Sequence, residues 1–173
     1  MRKVIFGALI VVFSSTVSAQ DTELAKYKAM FTLNFIRYIG WPDAAKEGDF
    51  VIGVLKESAL TEQLSMQTVG KRFGTQNIVI KQFKTVEEVT YCQILYFSKN
   101  LNYSKNAVTV IQKLNGKNAL IITETEGATE KGSMINFVVR DDKLKFEISA
   151  SNADKFGLKF SSSLTALSNA IVK

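Results

Sequence analysis

The sequence predicts an α/β protein: a single three-layer domain whose mostly parallel sheet is flanked by helices and extended by an antiparallel β-hairpin. Two observations carry this prediction. Continuous apolar runs of strand length are separated along the chain by helical patterns, which is typical of parallel strands covered on both faces. Toward the carboxyl terminus, apolar and polar residues instead alternate around a two-residue turn, which is typical of a hairpin with one buried face.

The beginning of the chain has the pattern of a secretory signal peptide. Two basic residues precede an apolar run over residues 4–13, and small residues at 17–19 suit a signal peptidase. A membrane anchor is the alternative, but a spanning helix needs about 20 apolar residues. We therefore predict a cleaved leader over residues 1–19 and an exported domain over residues 20–173.

Composition argues against several classes of function. The net charge is +6, or +4 without the two basic residues of the leader, and the remaining cations are scattered among acids. We therefore expect no nucleic-acid partner. The chain contains no His, which removes Ser-His-Asp triads, Cys-His pairs and most zinc sites. The sequence predicts a protein that is not an enzyme and has no cofactor.

The first predicted helix has apolar residues at helical spacing. Its stripe contains Leu24, Tyr27, Phe31, Phe35 and Tyr38, widened by Met30, Leu33 and Ile39. Gly40 fits the left-handed position that often follows a helix. We expect Trp41 to fold back over Ile36 or Phe35, while Pro42 prevents the helix from continuing.

Further segments are predicted in chain order. The parallel strands are expected at Phe50–Leu55, from 78–80 onward, at Ile94–Phe97 and at 119–123. Helices are expected at 60–69, at 85–88 with a capping box, and at 104–114 with a stop at Asn115-Gly116, whereas 70–76 is predicted as a turn or loop. The hairpin uses strands at 135–139 and 144–148 joined by Asp141-Asp142, and helices at 151–157 and 162–171 follow.

The single cysteine, Cys92, lies in an apolar segment that is predicted to be a strand. No internal disulfide is therefore possible. We expect a buried, unreactive thiol, whereas an exposed one could pair between two chains.

Few residues suggest chemistry. Gly127 and Gly132 have the spacing of a phosphate-binding loop, but Ser133 and Met134 follow where Lys and Ser or Thr are required, so we reject that function. Three carboxylates follow the fourth strand, at Glu124, Glu126 and Glu130. They could bind a cation or perform acid–base catalysis, but solvated loop charges are the favoured interpretation.

The predicted topology brings several polar residues to one edge of the sheet. In open α/β sheets, ligands bind beyond the carboxyl ends of the strands. Ser58, Ser98, Asn100 and Glu124 follow predicted strands and are expected near that edge.

Three stretches together resemble the YfiR family of periplasmic proteins. The first is YKAMFTLNFIRYIGWP, and the second is FVIGVLKES, followed downstream by GKRFGTQNIVIKQF. The third is EGATEKGSMINFVVRDDKLKFEISASNADKFGLKFSSSLTAL, which is similar to the family's glycine loop, hairpin and Gly-Leu-x-x-Ser-Ser segment. The resemblance extends over nearly all of the predicted mature chain.

The resemblance implies a YfiR-like periplasmic domain over residues 20–173 that acts as a regulator. The name-giving member represses an inner-membrane diguanylate cyclase, YfiN, and its release raises cyclic di-GMP and favours biofilm growth. An outer-membrane lipoprotein captures that repressor, and other relatives are inferred to serve different membrane signalling proteins, including histidine kinases. The expected partner is thus the periplasmic domain of such a receptor, with a homodimer and a lipoprotein contact as further expectations. The alternative is a periplasmic small-ligand sensor.

Partner contacts are expected first at Trp41 and Pro42, and then at the loop bounded by Gly127 and Gly132. Four more residues match the family's motifs, but core packing explains them as well or better: Phe137, Phe146, Leu158 and Leu164. One feature departs from the resemblance. Better-known members carry cysteine pairs, whereas this chain has only Cys92, so control by a disulfide is not expected here.

Overall fold

The computed structural model describes residues 17–114, 118–168 and 170–172. The described elements, in chain order, are α1 (Val17–Tyr38), β1 (Ile39–Gly40), β2 (Phe50–Leu55), α2 (Ser58–Thr68), β3 (Arg72–Phe73), β4 (Gln76–Phe83), β5 (Ile94–Phe97), α3 (Tyr103–Lys113), β6 (Leu120–Thr123), β7 (Ile135–Arg140), β8 (Lys143–Ser149), α4 (Ala150–Lys155), β9 (Lys159–Phe160), α5 (Ser162–Leu167) and β10 (Ala170–Val172). Residues 1–16 of the predicted leader and the predicted stop at Asn115-Gly116 lie outside the described residues.

The main sheet has the strand order β10-β8-β7-β6-β5-β2-β4-β3. Strands β4, β2, β5, β6 and β7 run parallel to one another, and β8 returns antiparallel to β7. The last strand, β10, lies parallel to β8, and a separate small sheet pairs β1 with β9. The predicted mostly parallel sheet with an added hairpin is confirmed.

Helices cover both faces of this sheet. Neighbouring residues of a strand point to opposite faces. In β5, the ring of Tyr96 lies 6.1 Å from that of Phe137, which in turn contacts Phe35 of α1. The next residue, Phe97, lies 5.1 Å from Tyr103 of α3. Helix α1 therefore covers one face and α3 the other, which gives the three predicted layers.

The buried face of α1 differs from the predicted apolar stripe. Tyr27 and Met30 are each 43% exposed, whereas Ala25, Ala29 and Thr32 are buried. Helix α1 packs closely along α2, and small side chains on its buried face permit such an approach, while Phe35 of the predicted stripe is buried against the sheet. The predicted stripe was therefore rotated relative to the face that packs.

The end of α1 also differs from the prediction at Gly40. This residue does not adopt the left-handed conformation but forms β1, opposite Lys159 of β9. A Cβ atom at Gly40 would lie 3.3 Å from Cβ of Lys159. The glycine therefore permits a close approach of two backbones.

Two other local predictions were wrong. Residues 85–88 form a bend and a turn rather than a helix, and the Glu88 carboxylate accepts a 2.8 Å hydrogen bond from Lys84 N. The last helix ends at Leu167, and residues 170–172 pair with β8 instead of continuing it. Within the predicted loop 70–76, Arg72 and Phe73 form the edge strand β3.

The hairpin turn and the burial of the cysteine are as predicted, although Cys92 lies two residues before β5 and not within a strand. Asp141 and Asp142 both have positive φ, 52° and 56°, which matches the right-handed twist of a two-residue hairpin. Cys92 is buried beneath Gly53, where an added Cβ would lie 2.9 Å from the sulfur. Burial raises the pKa of this thiol to about 12.

Candidate functional site

The parallel sheet has a topological switch point between β2 and β5, where the direction of the chain connections reverses. From β2 the chain passes through α2 to β4, and from β5 it passes through α3 to β6, on the other side. The two connections therefore leave the same pair of strands in opposite directions. In sheets of this kind, a crevice forms beyond the carboxyl ends of the two strands.

A small hydrogen-bonded network occupies this switch point. Ser98 Oγ, after β5, donates a 3.1 Å hydrogen bond to the Glu57 carboxylate, after β2. Asn100 donates to the same oxygen at 3.3 Å, and its backbone nitrogen lies 3.1 Å from Ser98 Oγ. Ser58 lies outside this network, because its hydroxyl accepts a 3.0 Å hydrogen bond from Gln82. Two of the predicted edge residues thus meet, around a carboxylate that was not predicted.

The predicted edge residue Glu124 forms a buried ion pair with Lys28 of α1. Both side chains are 7% exposed. The pair joins the first helix to the segment after β6. A buried pair of this kind specifies one arrangement of the two elements, because breaking it would leave a charge without a counter-charge.

Polar atoms without hydrogen-bond partners accompany this ion pair. Among the described residues, three buried oxygen atoms make no hydrogen bond of standard geometry: Tyr96 Oη, the second Glu124 oxygen, and Thr32 Oγ1 one helical turn beyond Lys28. The Tyr96 phenol nevertheless lies close enough to the Glu124 carboxylate to interact with it. Burial and then the Glu124 carboxylate raise the pKa of the Tyr96 phenol well above its usual value. Since buried polar groups are generally paired, these three atoms mark a place suited to water or a small polar ligand.

An open cleft of about 350 Å³ adjoins the ion pair. Its lining combines cations, carboxylates and an aromatic floor, and includes Lys28, Lys99, Glu124, Phe137, Arg140 and Glu147. A second depression, of about 240 Å³, shares Lys28 and Lys99 with it and extends toward Glu57. The carboxyl edge of the sheet therefore offers a mixed-charge surface beside an apolar one.

The three carboxylates after β6 do not converge. Glu124 pairs with Lys28, while Glu126 and Glu130 are exposed. Among the described residues, no group of three His, Cys, Asp or Glu side chains is arranged to hold a metal ion.

The loop bounded by Gly127 and Gly132 is held by internal contacts. Both glycines have left-handed backbones, with φ of 69° and 100°, around a short 3₁₀ helix. Asn152 Nδ2 donates to the carbonyls of Thr129 and Ser133 at 2.7 and 2.9 Å. A Cβ at Gly132 would lie 2.9 Å from Ile111 of α3. The glycines are required by the local geometry, and a role in partner binding stays a prediction.

Trp41 packs inside the domain at the end of α1. Its Nε1 donates a 2.9 Å hydrogen bond to the carbonyl oxygen of Ile36, and its ring meets Phe50 edge-on at 5.0 Å. The indole is buried, while Pro42 is half-buried. The predicted packing over Ile36 is confirmed. A contact of Trp41 or Pro42 with a partner stays a prediction, and no described contact joins these residues to the glycine loop.

The four family-motif residues lie in the core: Phe137, Phe146, Leu158 and Leu164 are all buried. Three residues of the carboxyl edge were not predicted: Lys28, Glu57 and Tyr96. Lys28 lies among apolar residues of a predicted helix, which indicates a buried lysine that needs an acidic partner. The spacing of residues in the sequence does not identify Glu124 as that partner. Glu57 directly follows β2 and was as visible in the sequence as Ser58.

Solved structures share the architecture. A conserved domain protein from Vibrio cholerae O1 biovar El Tor N16961 superposes with a TM-score of 0.59 at 9% identity, covering 86% of this chain and 60% of that one. A second, described as the ABC domain in complex with L-Trp from Streptococcus pneumoniae, gives 0.50 at 10% identity and covers 70% and 55%. The chain thus spans little more than half the length of these proteins, and the likeness shows the fold alone. No curated protein matches the sequence.

The fold and its carboxyl edge define a doubly wound α/β domain with a buried ion pair beneath an open, mixed-charge cleft. None of the described helices is long and apolar enough to cross a membrane. The profile of the YfiR/HmsC-like family matches residues 25–169, and the chain belongs to that family. Members are periplasmic, regulatory and non-catalytic, and the family suggests interaction with a membrane signalling protein.

Proposed function

We propose that this protein is an exported periplasmic regulator that binds and represses an inner-membrane signalling protein. The observation that carries the proposal is the family match over residues 25–169. The partner is the periplasmic domain of a diguanylate cyclase similar to YfiN, or of a sensor histidine kinase. The basic and apolar pattern of residues 1–19 supports export through a cleaved signal peptide.

Repression follows from preferential binding to the inactive state of the receptor. A ligand shifts a two-state equilibrium only by its difference in affinity for the two states. Moving a receptor from almost fully active to almost fully inactive requires about 5.5 kcal/mol of that difference. A protein interface of about 1,600 Å² supplies such energies. A two-fold symmetric receptor would favour a homodimeric regulator, and capture by an outer-membrane lipoprotein would release the receptor.

The proposal is tested by cellular cyclic di-GMP in a strain that lacks the gene. We expect the level to rise, and to return to normal when the full chain is restored but not when residues 1–19 are omitted. An unchanged level contradicts a cyclase partner. Rescue by the form without residues 1–19 contradicts a periplasmic site of action.

A second candidate function is the sensing of a small polar ligand. The unpaired buried atoms of Tyr96 and Glu124, beside a cleft of about 350 Å³, favour it. Ligand binding there would change the position of α1 through Lys28 and so alter the affinity for the receptor. The test is a thermal-shift screen of metabolites on the wild-type chain and on Lys28→Met. A stabilising compound should lose its effect in the variant, whereas equal shifts in both proteins place its binding elsewhere.

A further inference from the structure

A groove beside the carboxyl-terminal half of α1 has not been assigned a role. It has a volume of about 250 Å³ and lies between α1, the end of α2 and the edge strands β3 and β4. We call it the α1–β3 groove, and its lining consists of Met30, Leu33, Asn34, Ile36, Arg37, Gln67, Lys71, Arg72, Phe73 and Ile78.

The α1 wall of this groove is a helical stripe of two apolar and two polar residues. Met30, Leu33, Asn34 and Arg37 lie at positions i, i+3, i+4 and i+7, which form one stripe over two turns. Met30 is 43% exposed and Leu33 is half-buried. A second helix laid along such a stripe would insert its side chains between these residues.

The floor and the far wall contain apolar residues that pack on the core. Ile36 is buried beneath the groove, and Phe73 and Ile78 are half-buried along its side. Phe73 stacks edge-on against Phe50 at 5.2 Å, and Phe50 stacks against Trp41 at 5.0 Å. Trp41 therefore lies behind the groove and supports its wall through Phe50.

The rim carries positive charge without compensation. Arg37, Lys71 and Arg72 line the groove, and none of its described lining residues is Asp or Glu. The two segments that build it, residues 24–42 and 63–86, contain no acidic residue at all. Among the described residues, no carboxylate forms an ion pair with any of the three cations.

Contacts within the domain use only some of the charge and hydrogen-bond donors of these three cations. Arg37 lies in the last turn of α1, where a cation offsets the partial charge of the helix end. Arg72 donates a 2.6 Å hydrogen bond to the Thr75 carbonyl oxygen, which leaves its other donors available. Neither contact explains why three exposed cations surround an apolar floor.

We propose that the α1–β3 groove binds an acidic amphipathic helix of the partner protein. The apolar face of that helix covers Met30, Leu33 and Phe73, and its carboxylates meet Arg37, Lys71 and Arg72. Complementary charge fixes the register and speeds association, while the apolar contact supplies affinity. This inference rests on the proposed function in one respect: it takes the helix to belong to the membrane signalling protein.

The first test uses a defined probe and the mature chain, residues 20–173. A fluorescein-labelled 18-residue helical peptide with Leu on one face and Glu on the other is titrated by fluorescence anisotropy. A matched peptide has Lys in place of every Glu. We expect the Glu peptide to bind at least tenfold more tightly, with an affinity that falls as salt is added. Equal binding of the two peptides overturns the proposal.

Matched variants locate the binding surface. Arg37→Glu combined with Lys71→Glu should weaken binding of the Glu peptide by about tenfold or more, because like charges then face each other. Lys105→Glu with Lys155→Glu makes the same change in net charge on α3 and α4 and should leave affinity within about twofold. Equal weakening by both pairs shows only a long-range charge effect and overturns the groove as the site. Circular dichroism checks that both double variants are folded.

The same variants separate this inference from the proposed function. We call the Arg37→Glu, Lys71→Glu variant the groove pair and the Lys105→Glu, Lys155→Glu variant the control pair. The wild-type chain and the control pair should both recover the membrane signalling protein from solubilised membranes, whereas the groove pair should not. Failure of the wild-type chain contradicts the proposed function itself. Recovery by the groove pair contradicts only the groove. If light scattering shows that the groove pair loses a dimer present in the wild type, the occupant is a second copy of this chain and the proposal is wrong.

Discussion

Lys28 and Glu124 form an ion pair that joins the first helix to the end of the parallel sheet, with both side chains almost fully buried. The two residues are 96 positions apart in the chain. Their contact lies between the cleft and the core, next to the unpaired hydroxyl of Tyr96. The ion pair therefore helps to fix the position of α1 on the sheet, together with the packing of Phe35 against Phe137 and Phe146.

Removal of either charge should destabilise the domain strongly. Glu124→Leu or Lys28→Met leaves one buried charge without its partner, and we expect a loss of roughly 3–5 kcal/mol in the free energy of unfolding. Combining Lys28→Met with Glu124→Leu should restore most of that loss, because no charge remains buried. Urea denaturation measures all three. Additive losses in the double variant would show that the two residues do not interact.

Tyr96→Phe should leave stability unchanged or raise it by about 1 kcal/mol, since the hydroxyl is buried with no described hydrogen-bond partner. Tyr103→Phe is the matched control, because its hydroxyl is also buried and unpaired. Both are measured by chemical denaturation. A loss of more than about 1 kcal/mol in Tyr96→Phe alone would reveal a partner, such as the neighbouring Glu124 carboxylate, a bound water or a ligand.

Trp41 should contribute to folding through packing and one hydrogen bond. Trp41→Phe keeps an aromatic ring against Phe50 but loses the donor to Ile36, and we expect a cost of about 1 kcal/mol. Trp41→Ala should cost about 3–5 kcal/mol. If Trp41→Ala instead folds with normal stability and fails to bind the receptor, the residue belongs to the contact surface.

Cys92 should be unreactive in the folded protein and should make stability depend on alkaline pH. Its pKa rises from 9.0 to about 12 on burial, so the unfolded chain loses the proton first. The stabilisation is complete below pH 9 and declines as the pH rises toward 12, by at most about 1.4 kcal/mol per pH unit. Cys92→Ala should show a shallower decline in urea denaturation at pH 8 to 10.5. Rapid reaction of the native thiol with a disulfide reagent at pH 8 would contradict its burial.

Most of the fold could be predicted because its strands are continuous apolar runs. The limits of β2 and β5 agree with the apolar runs at 50–55 and 94–97. The alternation of apolar and polar residues on either side predicts the turn at Asp141-Asp142. These signals are local, and each is contained in one short segment. The helical segments between the strands predict that these strands run parallel to one another.

Apart from the helix expected at 85–88, the errors concern features that depend on distant parts of the chain. Gly40 pairs with β9, more than 100 residues later, and the strand at 170–172 forms only because β8 offers a free edge. Lys28 is buried because Glu124 meets it, and hydrophobic spacing does not detect such a pair. The groove was not foreseen either, since its walls come from separate segments of α1, α2 and β3.

The central claim is that this protein acts by binding a membrane signalling protein, and affinity capture tests it most directly. The tagged chain over residues 20–173 is incubated with solubilised inner membranes, and the bound proteins are identified by mass spectrometry, with an unrelated exported protein as the control. We expect strong enrichment of a receptor with a periplasmic domain and a cytoplasmic diguanylate cyclase or histidine kinase domain. Enrichment of no such receptor would contradict the claim.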